Sequence, residues 1–322
     1  MSTAPPPIRA VDVDVAGQEK SAAPRAGSED VRKGGWLVRI GVAVIVVLWL
    51  IPTIGVLVTS FRPESVVETS GWWEALAHVF DSSEWTLENY RQALDTGGFE
   101  NAFLNSLAVT IPSTVIPITI AAFAAYAFSW MEFRGRYLMF VAVVGLLVVP
   151  LQMALIPILR LYTGGAAIGD LTIFPDLDLN GKFLGIWLAH TAFGLPLAVY
   201  LLRNYIGALP SSIIESARID GADHFTIFWR LIVPLSVPAL AAFAIFQFLW
   251  VWNDLLVAYI FLGGGRQTRV LTIALQSLVG SRGENWHLLT SAAFISMALP
   301  LLVFFTLQRY FVRGLTAGAV KG

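Results

Sequence analysis

The sequence predicts an all-α membrane protein in which six transmembrane helices carry one polar, glycine-hinged loop. Three observations lead there. Of 322 residues, 56% are hydrophobic and 13% charged, with a mean hydropathy of +0.69, which is far more apolar than a soluble domain. Six apolar runs reach about the twenty residues a bilayer requires. Between the fourth and fifth lies SSIIESARIDGADHFTIFWRLIVPL, residues 211–235, a polar stretch held from both sides.

The same composition excludes several classes. A net charge of -1 leaves no electrostatic footprint for nucleic acid. The absence of cysteine removes disulfides, thiolate metal sites and thiol nucleophiles. The 16 prolines and 27 glycines suit membrane helices, whose freed backbone groups are satisfied by neighbouring helices.

Residues 1–33 are rich in Pro, Ala, Ser and both charge signs without apolar periodicity, and are expected to be a disordered tail. The run that follows, 36–59, is too long for a signal-peptide core and long enough to span. It is read as the first span of a transmembrane domain covering 34–322. The others are 103–130, 137–161, 183–202, 237–262 and 288–310, with the polar loop over 206–235.

Six spans place both termini on one side. Arg32, Lys33 and Arg39 flank the start, Arg134 and Arg136 lie in the second loop, Arg203, Arg218 and Arg230 in the fourth, and Arg309, Arg313 and Lys321 at the end. By the positive-inside rule this side is the cytoplasm. The first outer loop is mostly acidic, from Glu64 to Glu100, against Arg62 and Arg91; in the last, Arg266, Arg269 and Arg282 outnumber Glu284. Two short helices are expected in the first outer loop, near residues 71–76 and 86–94, the second with Leu87, Tyr90 and Leu94 on one face. Trp72 and Trp73 read as interfacial anchors. The alternative is a platform for an extracellular binding protein.

In the polar loop, Ser212 and Glu215 have the spacing of a capping box, so one helix is expected to start there. Gly221 can take the left-handed conformation that ends it. Asp223 can cap a second helix running through Phe225, Phe228 and Ile232 until Pro234. On local signals alone the simpler reading is a connecting loop with well-made caps.

The order Glu215-Ser216-Ala217, Asp220-Gly221-Ala222, then Ile232 and Pro234, resembles the EAA signature of inner-membrane subunits of binding-protein-dependent ABC importers. Ser216 stands for the first alanine and Val233 for the leucine before proline. Across roughly 36–322 the chain looks closest to sugar-importer permeases of the maltose and α-glucoside type. The match runs through Asn89-Tyr90, Asn105-Ser106, Ala125-Tyr126-Ala127-Phe128, Phe133-Arg134-Gly135-Arg136, Pro150-Leu151-Gln152, Ile156-Pro157, Trp252-Asn253-Asp254 and Gly318-Ala319-Val320-Lys321-Gly322.

The resemblance implies a type I ABC importer permease fold in a bacterial cytoplasmic membrane. It also implies that the loop forms coupling helices held in a cleft of a separate ATPase. Glu215, Ser216, Ala217, Asp220, Gly221, Ala222, Asp223 and Pro234 are then the docking segment. The implied partners are an ATP-binding subunit dimer, a second permease, an extracytoplasmic sugar-binding protein and membrane lipid. ATP and Mg belong to the ATPase, and this chain needs no cofactor.

For the transport path, polar groups inside spans are informative because a charge near a helix centre costs about 2.5–3.5 kcal/mol. They normally face the bundle interior or water. Gln152, His190, Gln247, Asn253 and Asp254 are the candidates; His190 also reads as a hydrogen-bonded packing residue, and Asp254, near the outer end of its helix, as an interfacial acid. The aromatic fifth span could stack on sugars, yet more simply packs against lipid and neighbouring helices.

No catalytic constellation competes. The glycine clusters Gly164-Gly165 and Gly263-Gly264-Gly265 lack the Lys-Ser/Thr of a P-loop, and neither H-E-x-x-H nor G-x-S-x-G occurs. The reading is thus a carbohydrate permease working by alternating access, for di- or oligosaccharides such as α-glucosides, maltose or trehalose. The rivals are a polyol or glycerol-phosphate permease, and a non-transporting scaffold that recruits a cytosolic partner. A membrane enzyme is disfavoured by the lack of a polar intramembrane cluster.

Overall fold

The computed structural model describes residues 35–95, 98–279 and 285–317. The expected tail 1–33, Arg282 and Glu284 of the last outer loop, and the terminal stretch 318–322 lie outside them. The chain divides into two compact units, 1–54 and 55–322. Helix α1, Gly35–Ser60, is apolar around its whole circumference between Arg39 and Thr53, as a lipid-solvated span should be.

In the second unit, short helices α2 (Glu64–Val67), α3 (Glu74–Ala77) and α4 (Glu88–Asp95) precede the long α5 (Phe99–Trp130). Then come α6 (Arg136–Gly145), α7 (Leu151–Gly164) and a hairpin of β1 (Ala166–Ile168) and β2 (Leu171–Phe174). The chain continues with α8 (Phe183–Gly207), α9 (Ser211–Ile219), α10 (His224–Ile227), α11 (Val233–Trp252), α12 (Leu256–Leu262), α13 (Leu271–Leu278) and α14 (Trp286–Ala317). Among the described residues five helical runs are long and apolar enough to cross a membrane, and six when a bent pair is counted as one span. The fold class expected from sequence stands.

The bundle is built on α5, α8 and α11. Ala121, Ala122 and Ala125 of α5 are buried against Ala198, Val199 and Leu202 of α8. Such small side chains let helix axes approach closely where water supplies no driving force. The opposite half of α5 packs through Phe99 and Ala102 on Phe248, Trp252 and Leu271.

The structure corrects several expectations. The third run is not one straight span: α6 passes through a 3₁₀ turn, Leu146–Val148, and meets α7 at 105°. Pro150 causes this, since it has no amide to continue the ladder and forces Val149 into an extended conformation, φ -73 and ψ 116. The fifth run ends at Trp252, because the Asp254 carboxylate accepts the amides of Val257 and Ala258 at 3.3 and 2.9 Å and starts α12. The β1–β2 hairpin is absent from the sequence reading, although its Gly169-Asp170 loop, with φ +59 at Gly169, is a hairpin signal.

The first loop contains the two expected short helices as α3 and α4, preceded by α2, which the sequence reading lacks, and α4 has a different buried face. Leu87 and Leu94 are exposed, while Asn89 and Ala93 are buried. Asn89 donates to the carbonyls of Ser60 and Arg62 at 3.0 and 2.8 Å, which turns α4 inward. Arg62, 1% exposed, satisfies its guanidinium on Glu84, the Ser70 hydroxyl and the carbonyls of Ser70 and Gly71. Trp73 is exposed, whereas Trp72 lies against Gly55, so close that a Cβ there would sit 2.8 Å from its indole nitrogen. Trp72 is therefore a packing residue as much as an anchor.

Candidate functional site

The polar segment begins at Pro210, whose φ of -59 leads straight into α9. The expected capping box does not form. With Pro210 in the N-cap position, Ser212 is already inside the first turn, where its hydroxyl cannot reach the amide of residue 215, and no side chain caps this end. The other end is built as expected. Gly221 has φ +80, its amide donates to Arg218 O at 3.0 Å, and Ala222 donates to Ala217 O at 2.9 Å. These are the two reverse bonds of a Schellman stop.

Asp223 then accepts the Thr226 amide at 2.8 Å and caps α10. Hydrogen bonds from Thr226 hold its carboxyl below the ordinary carboxylate range. The helix does not stop at Pro234. It passes through a π-helical turn, Phe228–Ile232, into α11, whose first turn contains Pro234. The widened turn gives room beneath a proline ring that lacks an amide.

One side of the segment belongs to the bundle. Ile214, Ile227, Phe228 and Ile232 are buried with Tyr126, Leu202 and Ile206, and Ala217 and Ala222 pack against the same cluster. Two polar ties reinforce it: Arg218 Nη2 donates to Trp130 O at 3.1 Å, and Tyr126 Oη lies 2.8 Å from His224 Nδ1. Glu215, Ser216, Asp220, Gly221 and Asp223 are exposed, as is Pro234 in the first turn of α11. Beside them stand Ile219, 86% exposed, and Phe225, 67% exposed. Sequence reasoning gave no outward role to these two apolar residues, because the phase of α9 against the bundle has no local signal.

The five path candidates do not converge on one site. Gln152 is exposed on α7, just after the bend. Asn253 donates to Leu249 O at 2.8 Å, closing the end of α11. Gln247 is fully buried; its amide donates to Ser113 O at 3.1 Å and packs on Gly194. Only His190 and Asp254 meet, with Nε2 3.8 Å from Oδ2. At the bend of the third run lies an apolar cavity of about 260 Å³, lined by Leu147, Leu151, Phe193, Pro196 and Trp250 among others.

Comparison with known proteins gives consistent matches. The family model described as the inner membrane component of binding-protein-dependent transport systems matches residues 117–317. The osmoprotective compounds uptake permease protein GgtD of Synechocystis is 55% identical over 284 residues, covering 88% of this chain and 91% of that protein. The alpha-glucoside transport system permease protein AglG of Rhizobium meliloti is 45% identical, covering 89% and 97%. Among solved structures, a bacterial ABC transporter that imports the acidic polysaccharide alginate aligns with a TM-score of 0.67 at 19% identity, covering 88% of this chain and 99% of that one.

Proposed function

The chain belongs to the family of binding-protein-dependent transport system inner membrane components, and we propose from that premise that it is the permease of an ATP-driven carbohydrate importer. Its substrates are di- or oligosaccharides such as α-glucosides, maltose or trehalose. It forms the path with a second permease, receives sugar from an extracytoplasmic binding protein, and leaves hydrolysis to an ATPase dimer that holds ATP and Mg. It sits in the bacterial inner membrane with both termini, and the loop over 206–235, in the cytoplasm. The likeness to an alpha-glucoside permease supports the substrate class.

One observation carries the mechanism: a segment capped by Gly221 and Asp223 is fused to the bundle core on one side and offers Ile219 and Phe225 on the other. Moving a two-state equilibrium from 1:99 to 99:1 takes about 5.5 kcal/mol of differential binding. A slack loop would dissipate such a bias, whereas a helix stopped and restarted within a few residues transmits it. Alternating access then follows closure of the ATPase dimer on the docked segment.

The test is ATP turnover and uptake by the reconstituted complex, with its binding protein and a panel of disaccharides and polyols. Disaccharide-stimulated turnover with uptake is expected. Stimulation by polyols or glycerol phosphate alone would overturn the substrate class. No stimulated turnover would leave a scaffold.

A further inference from the structure

His190 is fully buried in α8, and neither ring nitrogen has a hydrogen-bond partner. A buried polar group left in that state costs free energy on the order of a full hydrogen bond, so each instance requires a physical reason. The ring stands edge-on to Trp250, with centroids 5.4 Å apart, which fixes its plane. Its Nε2 points toward the Asp254 carboxylate at 3.8 Å, too long for a direct bond.

Between the two lies a cavity of about 10 Å³ lined by Ser106 and Thr110 of α5, His190, Asp254 and apolar neighbours. That is about one probe sphere, the lower limit for a single water and far below the ~300 Å³ of the smallest ligand pockets. A sugar ring is excluded by size. A group of three or more His, Cys, Asp or Glu side chains able to hold a metal ion does not occur among the described residues.

We propose that this cavity binds one water molecule, which joins His190 Nε2 to the Asp254 carboxylate and fastens α5, α8 and the α11–α12 break together. An oxygen about 2.8–3.0 Å from both atoms fits their separation. His190, as the Nε2–H tautomer, donates to the water, and the water donates to Asp254 Oδ2. Ser106 completes the set: its oxygen accepts the Leu271 amide at 2.8 Å, leaving its own hydrogen free to donate to the water. Asp254 already holds the amides of Val257 and Ala258, and its carbonyl accepts from Thr272 at 2.7 Å. The water therefore ties the start of α12 and the approach to α13 to the long helices.

A water differs from a direct ion pair in one useful respect. It can be exchanged for bulk water when the helices part, so neither His190 nor Asp254 is stranded. The node thus behaves as a replaceable latch at the end of the bundle opposite the Gly221 stop.

The experiment uses the full-length chain in nanodiscs. A high-resolution structure is expected to show an ordered peak within ~2.6–3.2 Å of both His190 Nε2 and Asp254 Oδ2. Ordered side chains with no peak, a direct contact, or a peak seen only in sodium buffers and not in choline would overturn the assignment. Independently, hydrogen exchange of the Val257 and Ala258 amides should rise about tenfold in His190→Leu and stay within about twofold in His190→Gln, which keeps a donor. If His190→Leu does not purify, His190→Phe, which keeps a ring against Trp250 but has no donor, should raise the same exchange about tenfold. Unchanged exchange in the variants that fold defeats the proposal.

Discussion

Tyr126 and His224 are joined by a 2.8 Å contact between the phenol oxygen and Nδ1 across 98 positions of sequence. Tyr126 is buried one turn before the end of α5, and His224 opens α10 immediately after the Asp223 cap. Together with the Arg218–Trp130 bond, α5 grips the segment on both sides of Gly221. The glycine stop is thereby anchored to a helix that runs through the whole bundle.

Tyr126→Phe removes only the hydroxyl, since the ring retains its edge contact with Phe228 at 5.6 Å. The net loss of one hydrogen bond, about 1 kcal/mol, corresponds to roughly a fivefold shift between tight and slack segments. Sugar carried per ATP should fall by about that factor, while recovery of the ATPase with the chain is unchanged. Paired uptake and hydrolysis assays in proteoliposomes measure both.

Gly221 should be sensitive to backbone conformation and insensitive to size. A Cβ there would meet nothing within 4 Å, yet φ is +80. Gly221→Asn, which tolerates this region, should transport nearly as the parent does. Gly221→Ala should cost about 1–2 kcal/mol. Gly221→Pro can neither take the angle nor donate to Arg218 O. It should insert normally and hydrolyse ATP without uptake, which vesicle assays would reveal as hydrolysis with no accumulated sugar.

These residues were legible because their signals are local: a positive φ at Gly221 and a cap at Asp223 follow from neighbours within three positions. Pro150 was in view as well, but its consequence, a 105° bend, was masked by apolar residues that continue on both sides. What could not be read are the long-range ties. Nothing near Asn89 announces the carbonyls of Ser60 and Arg62, and nothing near Arg62 announces Glu84. The outward turn of Ile219 depends on how α9 lies against Tyr126 and Ile206, which is a tertiary fact.

Docking should have two separable components. Glu215 is exposed and makes no cap, so Glu215→Lys weakens ATPase association through charge alone, and the effect should shrink in 0.5 M salt, where the Debye length is only a few ångström. Ile219→Ser and Phe225→Ala remove exposed apolar area that the proposed docking would bury, on the order of 1.5–3 kcal/mol each for complete burial. Their effect should persist at high salt. Co-purification with the ATPase at low and high ionic strength separates the two.

The Asp223 cap should not respond to physiological pH. Its carboxyl is held below the ordinary value of 3.8 by hydrogen bonds from Thr226. A depressed folded value means that the stabilisation is complete above the unfolded value and is lost only as pH falls through the folded one. Between pH 5 and 8 the Thr226 amide should therefore keep constant protection from exchange, after correction for intrinsic rate. Asp223→Asn should preserve this protection, and Asp223→Ala should abolish it.

Gln247 and Gly194 make the sharpest packing test in the bundle. A Cβ on Gly194 would lie 2.7 Å from both Nε2 and Oε1 of Gln247, and that side chain is fully buried and bonded to Ser113 O at 3.1 Å. Gly194→Ala cannot be absorbed by a rotamer change without breaking the tie between α5 and α11. Overpacking of this kind costs about 1–3 kcal/mol. Shortening the neighbour removes the clash, so Gly194→Ala combined with Gln247→Ala should be more stable than Gly194→Ala alone, even though each single change is destabilising. Thermal unfolding of the four proteins in one detergent measures the coupling; strictly additive losses would show that the two helices do not meet at this point.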